Sequence, residues 1–300
     1  MQSSDTLQRF IFENAPIRGE IVRLDATWRA VLERRNYPPA LRELLGEMMA
    51  AAALLSATLK FDGSMIMQIQ SNGPVRLLVV ECTSERTLRA LAQWDNDVQP
   101  APLTELLGDG KLVITINPTH DKERYQGIVN LEGDTIAEVL QHYLIHSEQL
   151  DTRLWLAANA QQAAGMLLQR LPYDSARDNA RDSNEDAWPR VVHLGTTITP
   201  HELLELPASE IIYRLYHEED VRLFDSEPVS FRCSCSRERV AGVLRMLGHD
   251  EIQSILREQG TVSVDCEFCG KHYELDPIDA EAIFAVFGEL SGITPPAVKH

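Results

Sequence analysis

The sequence predicts an α+β protein in three parts: an N-terminal domain of sheet plus helices (1–171), a helical linker (172–230) and a small C-terminal domain built on four cysteines (231–300). Three observations carry that prediction. As far as about residue 170, short β-branched runs bounded by turn residues alternate with segments of helical apolar spacing. The texture then turns polar and acidic, with short helical patterns broken by proline. Finally, four of the five cysteines fall in "FRCSCSRERV" (231–240) and "DCEFCGKHYE" (265–274), as C-x-C and then C-x2-C. Three hundred residues are also enough for two domains, since single cores usually stop growing at about 250–300 residues.

In the first part, "RGEIVRL" (18–24) reads as a strand and "DATWRAVLERRN" (25–36) as a helix opened by Asp25. "PPALRELLGEMMAAAALLSATLK" (38–60) has prolines at its start, Leu41, Leu44, Leu45, Met48 and Met49 at helical spacing, and Gly63 past its end. That predicts a long helix whose stripe belongs to the core. Strands follow at 64–71, 75–82, 111–117 and 124–131, bounded by "NGP", "GDG" and "EGD". "DTIAEVLQHYLIHSEQL" (134–150) reads as a helix capped by Asp134, and "TRLWLAANA" and "AAGMLLQRLP" as two more strands. An antiparallel or mixed sheet carrying helices is expected.

"PYDSARDNARDSNEDAWPR" (172–190) offers almost nothing to bury and reads as an exposed or disordered connector. Beyond it, 199–229 holds short helical stripes (Leu203, Leu204, Ile211, Ile212, Leu215). Isolated helices of that length are marginal in water, so this segment depends on docking for its order. From Phe231 the chain becomes compact again. A helix at 236–248 sets Val240, Val243, Leu244 and Leu247 on one face. A second, at 250–260, starts with Asp250 and Gln253 in capping-box spacing. Two short strands flank the C-x2-C turn, and a last helix covers 277–288. A piece this small barely supports itself on its own core, and a metal is the natural staple.

Structural zinc takes four ligands tetrahedrally, usually as two close pairs from separate turns. Cys233 and Cys235 supply one pair; Cys266 and Cys269, flanking a tight turn that ends in Gly270, supply the other. One Zn2+ held by four thiolates leaves no open position for a substrate water, so zinc hydrolase chemistry is not expected. The same sulfurs can also pair as local disulfides, and a strained i,i+2 ring is labile. Arg232, Arg237 and Arg239 would balance the surplus thiolate charge. The spacing leaves an inert staple and a redox switch both open.

Charge and missing motifs exclude other classes. Net charge is −17, and 231–300 alone carries 11 acids against 7 Lys and Arg. Such a chain is repelled by nucleic acid and by anionic membranes, so a zinc ribbon for RNA or DNA is disfavoured. The longest apolar run, "MMAAAALL", falls far short of a membrane span, and the N-terminus lacks a secretory pattern, so the cytoplasm is the expected compartment. Thiols there stay reduced. No phosphate-binding G-x-x-x-x-G-K-[ST] occurs, hence no ATP is expected. A thiol–disulfide oxidoreductase is the alternative, but its C-x2-C belongs at a helix start after a strand, so no enzyme is expected. His142 and His146, four apart on a predicted helix, read as a polar face, and Cys82 as a small buried strand residue.

The motifs "FRCSCSRER" and "CEFCG", with "FENAPIRGEIVRL", "ATLKFDG", "RYQGIVNLEGDTIAEVL" and "RLYHEEDVRLFD" in support, resemble the redox-regulated 33-kDa heat-shock chaperone family along essentially the whole chain. Where some members carry a further cysteine after "SRER", this chain has Val240. The resemblance implies an ATP-independent holdase, off when reduced and zinc-bound. It further implies that oxidation pairs Cys233 with Cys235 and Cys266 with Cys269, that zinc leaves, and that the zinc domain and linker unfold. Unfolding client proteins would then bind, with the oxidised form a homodimer.

Overall fold

The computed structural model describes residues 5–95, 98–119, 123–172 and 186–288. These residues divide into two compact units that meet in sequence between Arg232 and Cys233. The connector expected at 172–190 falls largely outside the described residues.

The first unit runs β1 (Thr6–Phe12), β2 (Ile17–Leu24), α1 (Ala26–Leu32), α2 (Pro39–Thr58), β3 (Gly63–Gln70), β4 (Val75–Thr83) and β5 (Thr87–Trp94). It continues with α3 (Leu103–Leu107), β6 (Lys111–Pro118), β7 (Tyr125–Asn130), α4 (Ile136–His146), β8 (Thr152–Ala158) and β9 (Ala163–Arg170). The chain then gives α5 (Ala187–Gly195), α6 (Pro200–Glu205), α7 (Ala208–Tyr216) and the short strands β10 (Val221–Leu223), β11 (Glu227–Pro228) and β12 (Ser230–Phe231).

Two sheets form where a single one was expected. One is ordered β10-β1-β2-β9-β8, with β11 also paired to β1; the other is β12-β5-β4-β3-β6-β7. All pairings are antiparallel except β12 beside β5. The long helix α2 packs against strands of both sheets, which explains why its residues are buried well beyond one stripe, from Leu41 through Leu55. One core therefore joins Leu7, Val22 and Leu24 of the first sheet, α2, and Met65, Met67 and Ile69 of the second. The approach of α2 to β8 and β9 is close: a Cβ on Gly46 would lie 2.5 Å from the Ala158 Cβ.

Strand alternation sends the other side chains of the first sheet to its far face. There Phe10, Phe12, Ile17, Ile21, Met166 and Leu168 form a second core with α5, α6 and α7. The expected stripes of 199–229 are all buried in it, and Tyr216 closes the layer edge-on against Phe12, 5.1 Å between ring centroids. Thr199 and Glu202 cap α6 reciprocally as a capping box. The chain then returns along β1 as β10 and β11 and crosses to β5 as β12. Val229 is buried in the first core, and the Arg34 guanidinium stacks 4.2 Å from the Phe231 ring centroid.

The second unit comprises α8 (Arg237–Leu247), α9 (His249–Gln259), β13 (Val262–Asp265), β14 (His272–Leu275) and α10 (Pro277–Gly288). Its core is small: Val240, Ala241, Leu244, Ile252, Leu256, Val262, Tyr273, Leu275, Ala280 and Ile283.

Local details differ from expectation, each for an identifiable reason. At α1, Asp25 makes no capping hydrogen bond; Asp5, twenty residues upstream, accepts from Asp25 N, from Thr27 N at 2.6 Å and from the Thr27 hydroxyl. At α4 the cap is Thr135, not Asp134, because Thr135 Oγ1 accepts from Glu138 N while the Glu138 carboxylate reaches back to Asp134 N. Helix α9 begins at His249 after Gly248, whose φ of 94° breaks it from α8, and Gln253 donates to Glu281 instead of closing a box. On α8 the buried stripe is Val240, Ala241 and Leu244, while Val243 and Leu247 are exposed. A module with two other helices and one hairpin cannot cover the whole apolar sector.

Candidate metal centre

Two separate pieces of backbone supply the sulfurs. The first is the extended stretch leading into α8, where Ser236 caps the helix by accepting from Arg239 N, and Arg239 Nη1 reaches back 2.5 Å to the Ser234 hydroxyl. This double tie fixes the loop that carries Cys233 and Cys235. The second is the turn joining β13 to β14. Cys266 N donates to Lys271 O at 3.0 Å, and Cys269 N and Gly270 N both donate to Cys266 O, at 3.2 and 2.7 Å. Gly270 sits at φ +68°, a conformation that costs glycine nothing, and it lets the chain fold back so that Cys266 and Cys269 face the same way.

All four Sγ atoms lie within 4.8 Å of one another, the single such metal-capable group among the described residues. Cys233 and Cys266 sulfurs are 3.6 Å apart, and those of Cys235 and Cys269 are 3.4 Å apart. Four sulfurs bound to one zinc at about 2.3 Å would stand about 3.8 Å from each other along each tetrahedral edge. A disulfide would require about 2.05 Å, and all five cysteines are free. The donor set thus fits a tetrathiolate metal site in a reduced protein. The short contacts run across the two pieces of chain.

The electrostatics of the sulfurs fit a cation as well. Burial pushes the Cys269 thiol up to about 12, with the three other sulfurs adding to the rise against the pull of the Lys271 N–H. Burial also raises Cys266, opposed by the N–H groups of Cys269 and Phe268. Cys235 goes the other way: although burial alone would raise it, hydrogen bonds from Tyr273 and the neighbouring sulfurs hold it down to about 7. The group accepts one negative charge and resists the next, as closely spaced acids must. A divalent cation at their centre reverses that resistance, because a coordinated thiol loses its proton outright.

The three arginines expected to balance the thiolates have other partners. Arg232 lies 3.6 Å from Glu85, Arg237 pairs with Asp279, and Arg239 is on Ser234. His142 and His146 stack on the exposed face of α4, 4.1 Å between ring centroids, with His142 beside Glu132. Cys82, on β4, is buried against the Ser56 hydroxyl at 3.1 Å, and burial pushes its thiol up to about 11, so it stays protonated and unreactive near neutrality. Sequence reasoning missed Tyr273, whose hydroxyl lies 3.1 Å from Cys235 Sγ. The contact spans 38 residues and follows no local pattern.

Comparison with known proteins agrees with this architecture. The family model described as Hsp33 protein matches residues 5–276. The 33 kDa chaperonin of Nitrosococcus oceani is 52% identical over 284 residues, 95% of this chain and 96% of that one. That of Chromobacterium violaceum is 51% identical over 286 residues, 95% of each. The crystal structure of the 33 kDa chaperonin (heat shock protein 33 homolog) of Thermotoga maritima superposes with a TM-score of 0.78 at 20% identity, covering 95% of this chain and 99% of that one. At that identity it speaks for the fold, while the near-full-length relatives and the family model speak for kinship: the chain belongs to the Hsp33 protein family.

Proposed function

We propose that this chain is a redox-gated, ATP-independent holdase, off while Cys233, Cys235, Cys266 and Cys269 hold one zinc ion and on once they are oxidised. The observation that carries the reading is the gathering of four sulfurs at the rim of a ten-residue core, in a member of a family whose relatives are named chaperonins. Ion binding to small four-cysteine modules contributes apparent free energies on the order of 10–16 kcal/mol, far more than such a core supplies. The module at 231–300 therefore depends on its thiolates.

In the proposed switch Cys233 joins Cys235 and Cys266 joins Cys269, the pairing the family resemblance implies. Each pair of thiolates gives two electrons to one peroxide, whose O–O bond breaks and which leaves as two hydroxides. Once paired, the sulfurs no longer supply four donors, and the module loses its staple. We take the functional division as 1–171, 172–230 and 231–300, with the middle part acting as the linker. Cys233 follows directly on Arg232, whose N–H donates to Leu88 O, so disorder beginning at Cys233 pulls first on β12 and then on β11 and β10. If α5, α6 and α7 come away in turn, the apolar face made by Phe10, Phe12, Ile17, Ile21, Met166 and Leu168 is uncovered. A contiguous apolar face is the surface an unfolding client protein would bind. We further propose a homodimeric oxidised form, a cytoplasmic setting, and no catalytic turnover. No helix among the described residues is long and apolar enough to cross a membrane.

Light scattering from an aggregating, chemically unfolded client tests the proposal, with the chain added either reduced and zinc-loaded or oxidised by peroxide. Suppression by the oxidised form alone is expected. Equal suppression by both forms would mean a constitutive chaperone with a structural zinc, and suppression by neither would leave an inert staple.

A further inference from the structure

The two halves of the sulfur set are each tied internally, the C-x-C loop through Arg239 and Ser234, the C-x2-C turn through its own backbone. Tyr273 bridges them. It stands on β14, opposite Val264 of β13, with its ring buried in the small core. Although carried by the hairpin, it donates its hydroxyl to Cys235 of the other half at 3.1 Å. Lys271 Nζ lies 5.0 Å from the centroid of the same ring. A cation over the ring face draws electron density from the phenol and makes its O–H a better donor. The same Lys271 is bonded through its carbonyl to Cys266 N, so ring, cation and turn form one connected piece.

Resting on the reading above that the four cysteines hold zinc, we propose that Tyr273 is a positioning residue of that centre. Its hydroxyl holds Cys235 in place for the ion and, with the ion bound, withdraws charge from that sulfur and slows its attack on peroxide. The attack forms a bond from sulfur to one peroxide oxygen, breaks the O–O bond and releases hydroxide. A second cysteine thiolate then displaces the remaining hydroxide and closes the disulfide. Both effects follow from one hydrogen bond: it pre-organises a ligand, and it lowers the nucleophilicity of the electron pair the oxidant needs.

The test compares the full-length chain with its Tyr273→Phe variant, which keeps the ring in the core and removes only the O–H. Zinc affinity is read by competition with a chromophoric chelator under reducing conditions, and zinc release is timed after hydrogen peroxide is added. The variant is expected to bind zinc about 10-fold more weakly or worse, the usual cost of losing a partner behind a metal ligand, and to release it several-fold faster. Wild-type affinity and release rate in the variant would overturn the proposal and leave Tyr273 as a core residue. Absence of zinc binding by the reduced wild-type chain would overturn the metal reading itself, a separate and recognisable failure.

Discussion

Glu20 is a carboxylic acid only 1% exposed, on β2, and its Oε2 has no hydrogen-bond partner among the described residues. Burial raises it to about 7, against the attraction of Arg9, Arg18 and Arg86 and with a small push from Glu227. The sign of its effect on stability follows. Between the ordinary carboxyl value of 4.5 and about 7, the folded chain keeps a proton that the unfolded chain has lost. Stability therefore falls as pH rises through that window, and the loss is complete above it. Glu47, raised to about 7 by burial and then by Glu43, acts in the same direction. Replacing Glu20 by Gln removes its share. Urea unfolding at pH 5 and pH 8 should show the Glu20→Gln variant gaining on wild type at the higher pH, by up to about 3 kcal/mol. A difference independent of pH would contradict the burial argument. At this scale the sequence told most about the cysteines, because two close pairs of thiols are a local pattern with few chemical uses. It told nothing of Glu20 or Tyr273, whose roles come from neighbours on other strands.

Elements were legible where one physical cause dominates. Helix α2 announces itself by its proline start and long apolar content, and the strands bounded by "NGP", "GDG" and "EGD" by their turns. The periodicity passes over β1 and β5, because each puts polar residues inside the strand: Gln8 and Arg9 in β1, and Arg89 and Gln93 in β5. Arg89 is accommodated there by Glu81 across the β4–β5 pair. The second sheet, and the return of β10 and β11 to β1 from about 210 residues away, depend on long-range pairing that no local pattern encodes. The short helices carry another lesson. Their stripes were visible, but the size of the face they cover was not, and that face makes α5–α7 a docked layer. Tyr216 is its keystone, buried against Phe10 and Phe12 and bonded to Val191 O. Truncating Tyr216→Ala should cost about 3–5 kcal/mol, as for other large aromatic side chains in cores. Limited proteolysis should then cut within 187–216 in the reduced, zinc-loaded variant while the sheets and α2 resist. A digestion pattern like that of wild type would refute the idea that this residue pins the layer.

The whole molecule comprises a unit with two substantial cores and a unit with a minor one. The larger unit holds itself together through α2 and two sheets; the smaller has a ten-residue core and four sulfurs placed where they could hold a metal ion. Oxidation should therefore act unequally, abolishing structure after Cys233 and loosening the layer that leads up to it. The central claim is that the cysteine centre keeps both the final module and α5–α7 folded. Hydrogen exchange read by mass spectrometry, on the reduced zinc-loaded chain and on the peroxide-oxidised chain at ambient and raised temperature, tests it most directly. The account predicts that amides of 233–288 and of 187–231 lose protection on oxidation while those of α2 and the strands β2, β3, β4 and β9 keep theirs. Unchanged protection of 187–231 with the four cysteines fully oxidised would contradict it.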